Sequence, residues 1–195
     1  MDRMAEEESS AAGRMMSTLR PLALAALLCA PLGCGGERAS TPGAAAAKPQ
    51  AVHAAQDVSS KDLTGRSVRL SDYLGKRVVL MNFWATFCEP CKAEFPHLQR
   101  LYAEKKDAGF SIVGVAVDGP DTVSDVPAFV QRNGLSFPIW LDEDSSVRAI
   151  YNPKSDAPVS VLIDRKGNVR HIRVGYNPGD EVALEAEVRA LLSEP

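Results

Sequence analysis

The last two thirds of the chain alternate between short apolar runs and segments with apolar residues on one helical face. Residues 78–84 form a nearly continuous apolar run, which is typical of a strand buried on both faces. Residues 111–117 form a second such run. Between them, residues 90–106 carry one apolar stripe at helical spacing, made of Cys91, Phe95, Leu98 and Tyr102. Strand, crossover helix and strand predict two parallel strands with a right-handed connection.

Further elements complete a layered domain around this unit. The pattern predicts helices over 122–132, 145–151 and 179–192, and strands over 137–141, 159–163 and 169–174. Residues 164–168 predict a hairpin turn, and a smaller hairpin is predicted within 57–70, around Gly65. The order of these elements predicts an α/β fold, in which a mixed central sheet is flanked by helices and preceded by an N-terminal β-hairpin.

The composition is that of a globular protein and narrows the classes of function. Of the 195 residues, 45% are apolar and 24% are charged, which does not fit a disordered chain. The formal charge of −3 is spread along the sequence without a basic cluster, so the chain offers no surface suited to nucleic acid. No apolar run reaches the roughly 18 residues of a membrane-spanning helix.

The first part of the chain has the pattern of an export signal. Residues 21–32 form a short apolar run that follows Arg14 and Arg20 and precedes Gly33. A positive flank, an apolar run of this length and a small residue at the break are typical of a secretory signal. We therefore predict that residues 1–33 are a signal peptide and that the protein is exported.

The end of this signal resembles a site of lipid attachment. Residues 31–34 (Pro-Leu-Gly-Cys) resemble the bacterial lipobox, in which the cysteine becomes the lipidated first residue. Lipidation of Cys34 predicts a lipid anchor on the periplasmic or extracytoplasmic face of a membrane; the alternative is an ordinary signal cut near Gly35. Residues 34–56 are rich in small residues without periodicity, which predicts a flexible tether. The folded domain is predicted over 57–195.

Few cysteines remain for chemistry in that domain. Cys29 leaves with the signal and Cys34 is capped by lipid, so the domain keeps Cys88 and Cys91 in a C-x-x-C spacing. Such a pair serves as a structural staple or as a redox couple. A staple closing so short a loop restricts the unfolded chain little, and one C-x-x-C supplies only half of a structural zinc site. The position between a strand and a helix favours the redox couple.

The two cysteines have different predicted environments. Cys88 lies where the strand ends and the helix begins, and the unpaired N–H groups and positive dipole of a helix start stabilise a thiolate. We expect Cys88 to be the exposed nucleophile. Cys91 lies on the apolar stripe, so we expect it to be buried as the resolving thiol. Pro90 suits the first helical turn, because the N–H that proline lacks would be unpaired there.

The sequence Phe-Trp-Ala-Thr-Phe-Cys-Glu-Pro-Cys-Lys-Ala-Glu-Phe-Pro at residues 83–96 resembles the active-site segment of the TlpA/ResA family of thioredoxin-like thiol–disulfide oxidoreductases. The similarity extends from about Asp57 to the C-terminus. It implies a thioredoxin-like fold and a redox-active Cys88–Cys91 disulfide, with no other cofactor and no metal. One position differs, because Phe87 stands where the family usually has tryptophan.

The resemblance also implies a location and partners. Family members are exported and often tethered to a membrane. The Glu89-Pro90 dipeptide is typical of members that act in cytochrome c maturation, where they reduce the disulfide of the apocytochrome haem-binding motif. Their electrons come from a membrane thiol transporter of the CcdA/DsbD type. The sequence itself leaves the direction of electron flow, the protein substrate and the reduction potential open.

The resemblance adds site residues around the cysteines. Pro158, which follows Ala157 ahead of a predicted strand, corresponds to the family's cis-proline, which faces the C-x-x-C and aligns the substrate chain. Trp84 lies shortly before the cysteines, and Glu89 and Pro90 lie between them. We assign these three residues to the substrate-binding surface together with Pro158 and Ala157.

Glu94 lies three residues beyond Cys91, on the adjacent face of the same helix. A carboxylate on a helix is ordinarily solvated. The family carries a glutamate here, close to the thiols, and the resemblance therefore implies a functional role. We expect burial to raise the pKa of Glu94, so that it can accept the Cys91 proton when that thiol attacks.

Two other classes of protein are alternatives. A peroxiredoxin-like peroxidase needs the motif P-x-x-x-T-x-x-C, and Ala85 stands where that motif requires threonine. A copper-binding chaperone of the Sco type holds its metal through C-x-x-x-C, which is one residue wider than the spacing found here. The histidines show no metal-ligand spacing; they are His53, His97 and His171.

Overall fold

Eight strands form one mixed sheet over residues 53–195, the part of the chain that the computed structural model describes. Numbered along the chain, the strands are β1 (His53–Ala54), β2 (Ser59–Asp62), β3 (Ser67–Arg69), β4 (Val78–Trp84), β5 (Phe110–Ala116), β6 (Ile139–Leu141), β7 (Val159–Ile163) and β8 (Asn168–Val174). The α-helices are α1 (Glu89–Lys105), α2 (Val126–Arg132), α3 (Ser146–Tyr151) and α4 (Asp180–Ser193). The spatial order of the strands is β1-β8-β7-β4-β5-β6-β2-β3.

The parallel unit predicted from the sequence is confirmed at the centre of the sheet. β4 pairs in parallel with β5, from Val78 opposite Phe110 to Trp84 opposite Ala116, and α1 connects the two strands. β7 pairs antiparallel with the other edge of β4. The C-terminal end of β4 and the N-terminal end of β7 therefore lie side by side.

The core is built around the two apolar strands at the centre. Every residue of β4 and β5 is buried, as their nearly continuous apolar runs predict. Phe95 of α1 and Phe129 of α2 pack against Trp84, with ring centroids 5.2 Å from it in each case. Gly114 of β5 joins this cluster, and a Cβ added there would lie 2.8 Å from Ile139 Cδ1. A larger residue at 114 would force the cluster apart, so its packing requires glycine.

The predicted N-terminal hairpin is confirmed and extends the sheet. β2 and β3 pair antiparallel, and the turn between them contains Gly65, whose φ of +80° suits glycine. β2 also pairs with β6, so the hairpin is part of the central sheet and not a separate layer. β6 itself starts at Ile139. Pro138, the residue before it, has no N–H to donate to a neighbouring strand.

Two backbone pairings bring the start of the described segment into the sheet. β1 lies within residues 34–56, which the sequence predicts to be a flexible tether, and pairs antiparallel with β8. The Ala55 N–H also donates to the Gly167 carbonyl oxygen, at 2.7 Å. This pairing depends on main-chain hydrogen bonds and not on apolar side chains. The sequence of the segment therefore carries no periodic pattern that would predict a strand.

The predicted signal peptide (1–33), the predicted lipidation site Cys34 and the remainder of the tether lie outside the described residues. Among residues 53–195, no helix has both the length and the apolar character required to cross a bilayer.

Candidate active site

The two cysteines lie where the chain leaves β4 and enters α1. Cys88 is the N-cap of α1, with an extended backbone (φ −82°, ψ 102°), and its Sγ accepts a hydrogen bond from the Cys91 N–H at 3.2 Å. Its own N–H donates to the Ala85 carbonyl oxygen at 3.0 Å, which forms the tight turn after the strand. Pro90 occupies the first turn of the helix, where no intrahelical N–H is needed.

The loop ahead of Cys88 is fixed by a buried carboxylate that the sequence did not single out. Asp118, which follows β5, accepts the Thr86 N–H at 3.1 and 3.2 Å, and the Thr86 hydroxyl also donates to it. β5 is the parallel neighbour of β4, so both strands deliver these residues to the same edge of the sheet. An acidic residue directly after a buried strand was the available signal for this contact.

Cys88 and Cys91 are joined in a disulfide with their Cα atoms 5.3 Å apart. The prediction that Cys91 is buried agrees with its exposed fraction of 0%, but the prediction that Cys88 is exposed is wrong, because only 7% of its surface is accessible. The disulfide and the N-cap hydrogen bond turn the Cys88 sulfur back against the helix start. Cys88 is still the more accessible of the two sulfur-bearing residues, so a substrate reaches it first.

Glu94 is buried one helical turn beyond Cys91, with an exposed fraction of 5%. Asn82 of β4 donates to it, with 3.0 Å between Nδ2 and Oε2, and the same nitrogen donates to Ser160 Oγ of β7 at 3.0 Å. This hydrogen bond places the carboxyl group on the sheet-facing side of α1. The reading of Glu94 as an ordinary solvated carboxylate is excluded by this burial.

The environment of Glu94 favours its neutral form. Burial raises its pKa to about 7, and the negative charge of Asp180 at the start of α4 acts in the same direction. Hydrogen bonds from Asn82 and Ser160 and the positive charge of Arg173 lower the pKa, but they do not offset the loss of solvent. A carboxyl group poised near neutral pH can exchange a proton in either direction.

Pro158 directly precedes β7, at the end of the sheet where β4 leads into the cysteine loop. The Ala157–Pro158 peptide bond is cis, as the resemblance implied. Val159 at the start of β7 pairs with Phe83, so Pro158 falls beside the end of β4, next to the turn that leads to Cys88. Pro158 is buried and Ala157 is partly buried, which leaves Ala157 the more accessible of the two.

The residues predicted to contact the substrate near the cysteines differ in their exposure to solvent. Trp84 has an exposed fraction of 0%, so its assignment to the substrate-binding surface is wrong: Phe95 and Phe129 cover its ring. Glu89 is exposed and forms an ion pair with Lys92 at 2.6 Å. The residue before the first cysteine, Phe87, is 67% exposed and supplies an apolar surface beside the disulfide.

A cavity of about 240 Å³ opens between α1, β8 and α4, and Glu94 is one of its lining residues. Its walls combine apolar side chains with charged groups; among the lining residues are Leu98, Ile172, Arg173, Tyr176, Asp180 and Leu184. Across residues 53–195, no three His, Cys, Asp or Glu side chains come together as potential metal ligands.

A buried strand that delivers two cysteines to a helix start, with a buried carboxyl group one helical turn beyond Cys91, is suited to exchanging a dithiol for a disulfide. The fold and the site thus define a thiol–disulfide oxidoreductase. A family model described as the AhpC/TSA family matches residues 51–172, which is more than half of the chain. The protein belongs to the AhpC/TSA family.

Similar proteins support the same class of enzyme. The thiol-disulfide oxidoreductase ResA of Geobacillus kaustophilus is 39% identical over 133 residues, which are 68% of this chain and 74% of the relative. A crystal structure of a Chlorobium tepidum protein, assigned as the thiol:disulfide interchange protein DsbE, has 35% identity and a TM-score of 0.66, over 72% of this chain and 96% of the other. A secreted disulfide oxidoreductase of Mycobacterium tuberculosis has 26% identity and a TM-score of 0.58, over 69% and 96%. These matches confirm the predicted thioredoxin-like fold and the predicted enzyme class.

Proposed function

We propose that this oxidoreductase is exported, tethered to a membrane by lipid on Cys34, and reduces disulfides of other proteins through the Cys88–Cys91 couple. The observation that carries the reducing direction is Glu94, buried one turn beyond Cys91. A negative charge there opposes formation of a thiolate nearby, which makes the reduced form less stable than a strong oxidant needs. An oxidant keeps its thiolate stabilised, so this arrangement supports a reductant.

The reduction proceeds in two steps. The Cys88 thiolate attacks a substrate disulfide, which forms a mixed disulfide and releases the first substrate sulfur as a thiolate. Cys91 then loses its proton to Glu94 and attacks Cys88, so the Cys88–Cys91 bond forms and the second substrate sulfur leaves. Two electrons pass from the protein to the substrate, and the two protons released by the cysteines end on the two substrate thiols.

The surroundings of the disulfide support a polypeptide as the substrate. Ala157 and Pro158 directly precede β7, whose first residue pairs with Phe83 near the end of β4 that leads to Cys88. Phe87 offers an exposed apolar contact on the loop before the cysteine. An extended chain can bind between these two surfaces while its own disulfide reaches the Cys88 sulfur.

A specific substrate follows from the Glu89-Pro90 dipeptide, which resembles that of family members in cytochrome c maturation. The proposed substrate is the disulfide of the apocytochrome haem-binding motif, C-x-x-C-H. The proposed electron donor is a membrane thiol transporter of the CcdA/DsbD type. The name of the ResA relative and the DsbE assignment of the Chlorobium tepidum structure support this branch of the superfamily.

Incubating the reduced protein with an oxidised C-x-x-C-H peptide tests the reducing function. We expect the peptide to become reduced while Cys88 and Cys91 become oxidised, as measured by thiol trapping and mass spectrometry. Equilibration with glutathione buffers should give the couple a lower potential than that of the peptide. The control is the Cys88→Ser/Cys91→Ser double variant, which should leave the peptide oxidised. A wild-type couple that takes electrons from the reduced peptide would overturn the reducing direction.

The location is tested on the membrane fraction of cells that express the full chain. We expect mass spectrometry to find a mature chain that begins at Cys34 and carries lipid on that residue. Two or more acyl chains on one cysteine anchor a protein stably, so this chain should remain in the membrane fraction. The Cys34→Ser variant should shift the protein from the membrane to the soluble fraction. A soluble wild-type chain that begins beyond Cys34 would contradict the anchor. Secretion of the Mycobacterium tuberculosis relative supports the exported location.

A further inference from the structure

One polar side chain interrupts the apolar central strand. Asn82 lies in the middle of β4 and is fully buried, as are all the residues of that strand. Its amide nitrogen donates two hydrogen bonds, to Glu94 Oε2 and to Ser160 Oγ, each at 3.0 Å. Within residues 53–195, no group donates to its amide oxygen, although that atom is buried.

A buried acceptor without a donor is unfavourable, and an apolar residue would avoid that loss. The other residues of β4 are all apolar, so the strand itself does not require an amide at this position. The amide contributes instead through its partner, the carboxyl group of Glu94, which lies one helical turn beyond Cys91. Its unpaired oxygen therefore has a use in some other state of that carboxyl group.

An asparagine amide has a donor end and an acceptor end, and half a turn about its last side-chain bond exchanges them. An ionised Glu94 needs a donor, which the present orientation supplies. A protonated Glu94 carries an O–H and needs an acceptor, which the rotated amide supplies through Oδ1. The hydroxyl of Ser160 faces the same end of the amide as Glu94 and can donate or accept, so it pairs with Nδ2 in the present orientation and with Oδ1 after rotation.

Resting on the proposed function, the geometry points to Asn82 as the positioning residue of the Glu94 proton carrier: its amide donates to the carboxylate, and rotates to accept from the carboxylic acid. Asn82 thereby stabilises both protonation states of Glu94 and touches neither the substrate nor the reacting sulfurs. Proton transfer between Cys91 and Glu94 then leaves the carboxyl group of Glu94 hydrogen-bonded to Asn82 at either stage.

Other ionisable groups also face Glu94, and the test must separate them from the amide. Asp180 of α4 and Arg173 of β8 act on its charge from two sides. The remaining ionisable groups of the surrounding cavity are His97, Arg100, Tyr176, Glu181 and Glu185, with Cys91 on the same helix as Glu94. None of these ionisable groups donates a hydrogen bond to Glu94 in the described structure. A measurement that follows the side-chain amide of Asn82 therefore separates its role from theirs.

Nuclear magnetic resonance of the wild-type protein tests the rotation without any change of sequence. We expect the side-chain amide resonances of Asn82 to titrate together with the carboxyl carbon of Glu94, at the same midpoint. In Glu94→Gln, which cannot ionise, this titration of Asn82 should disappear. If Glu94 titrates and Asn82 does not follow, the role of Asn82 is refuted while the proton-carrier function of Glu94 stands.

A variant supplies the kinetic test. Asn82→Leu keeps the branched shape but supplies neither donor nor acceptor, so the pKa of Glu94 should rise and resolution of the mixed disulfide should slow about tenfold at neutral pH. The deficit should shrink at higher pH, where Glu94 ionises again, whereas a merely structural defect would persist at every pH. Ser111→Ala, which removes a buried polar group from β5, is the control and should keep the wild-type pH profile. An unchanged profile in Asn82→Leu overturns the inference, whatever Glu94→Gln does.

Discussion

Replacing Cys91 by serine is expected to stop the reaction after its first step and to leave Cys88 joined covalently to its substrate. Cys88 is the only one of the two residues with accessible surface, and Cys91 is fully buried beneath it. A serine at position 91 cannot attack the mixed disulfide, so the intermediate accumulates. Catalysed disulfide reduction should fall by at least about a thousandfold, and non-reducing electrophoresis should show the adducts.

The matched control is Cys88→Ser, which should trap few adducts because the remaining thiol lies inside the protein. Both variants should unfold at nearly the wild-type denaturant concentration, since the disulfide closes a very short loop and restricts the unfolded chain little. Equal trapping by the two variants would contradict the assignment of Cys88 as the attacking thiol.

Replacing Glu94 by glutamine is expected to slow the second step about a hundredfold while leaving the first step intact. Glutamine keeps the shape of the side chain but cannot take the Cys91 proton. In the wild-type protein, the rate of resolution should rise with pH and level off above about 7, because the carboxylate form is the acceptor. The variant should lack this rise. Stopped-flow measurement of single turnover with a preformed mixed disulfide separates the two steps.

Glu94→Gln should also change how the stability of the protein depends on pH. In the wild-type protein the rate of resolution rises with pH, whereas the free energy of unfolding should fall. Burial raises the pKa of Glu94 from 4.5 to about 7, so the folded chain binds more protons than the unfolded chain between these values. The stabilising proton is fully present below pH 4.5 and is lost as the pH rises through 7. The free energy of unfolding should therefore decrease by up to about 3 kcal/mol across this window, and Glu94→Gln should remove the decrease. Urea denaturation at several pH values measures it, and equal pH profiles would place Glu94 at the solvent-exposed surface.

The central elements were predictable because their signals are local. The apolar run of β4 has no competing periodicity, and its bounds agree with the predicted ones. The α1 helix begins one residue before Pro90, as expected where a proline occupies the first turn. The later helices and strands were less certain in their ends, since Pro127 and Pro138 shift where α2 and β6 can start.

The supporting residues of the site were not predictable from local pattern. Asn82 reads as a tolerated polar residue within an apolar run, and its partners are 12 and 78 residues away along the chain. Asp118 meets Thr86 only because β5 lies parallel to β4. Trp84 was misassigned because a large aromatic residue beside the cysteines is equally consistent with a binding surface and with a core.

The nearly complete burial of Cys88 has a consequence for the timing of the reaction in the cell. A cysteine residue with so little accessible surface can be reached by a thin, extended segment but not by a disulfide recessed in a folded domain. Under the proposed function, the enzyme therefore competes with the folding of its substrates and would act on chains soon after they cross the membrane. Under that proposal, an apocytochrome that has already folded around its disulfide would escape reduction, so the order of export, reduction and folding would determine the yield.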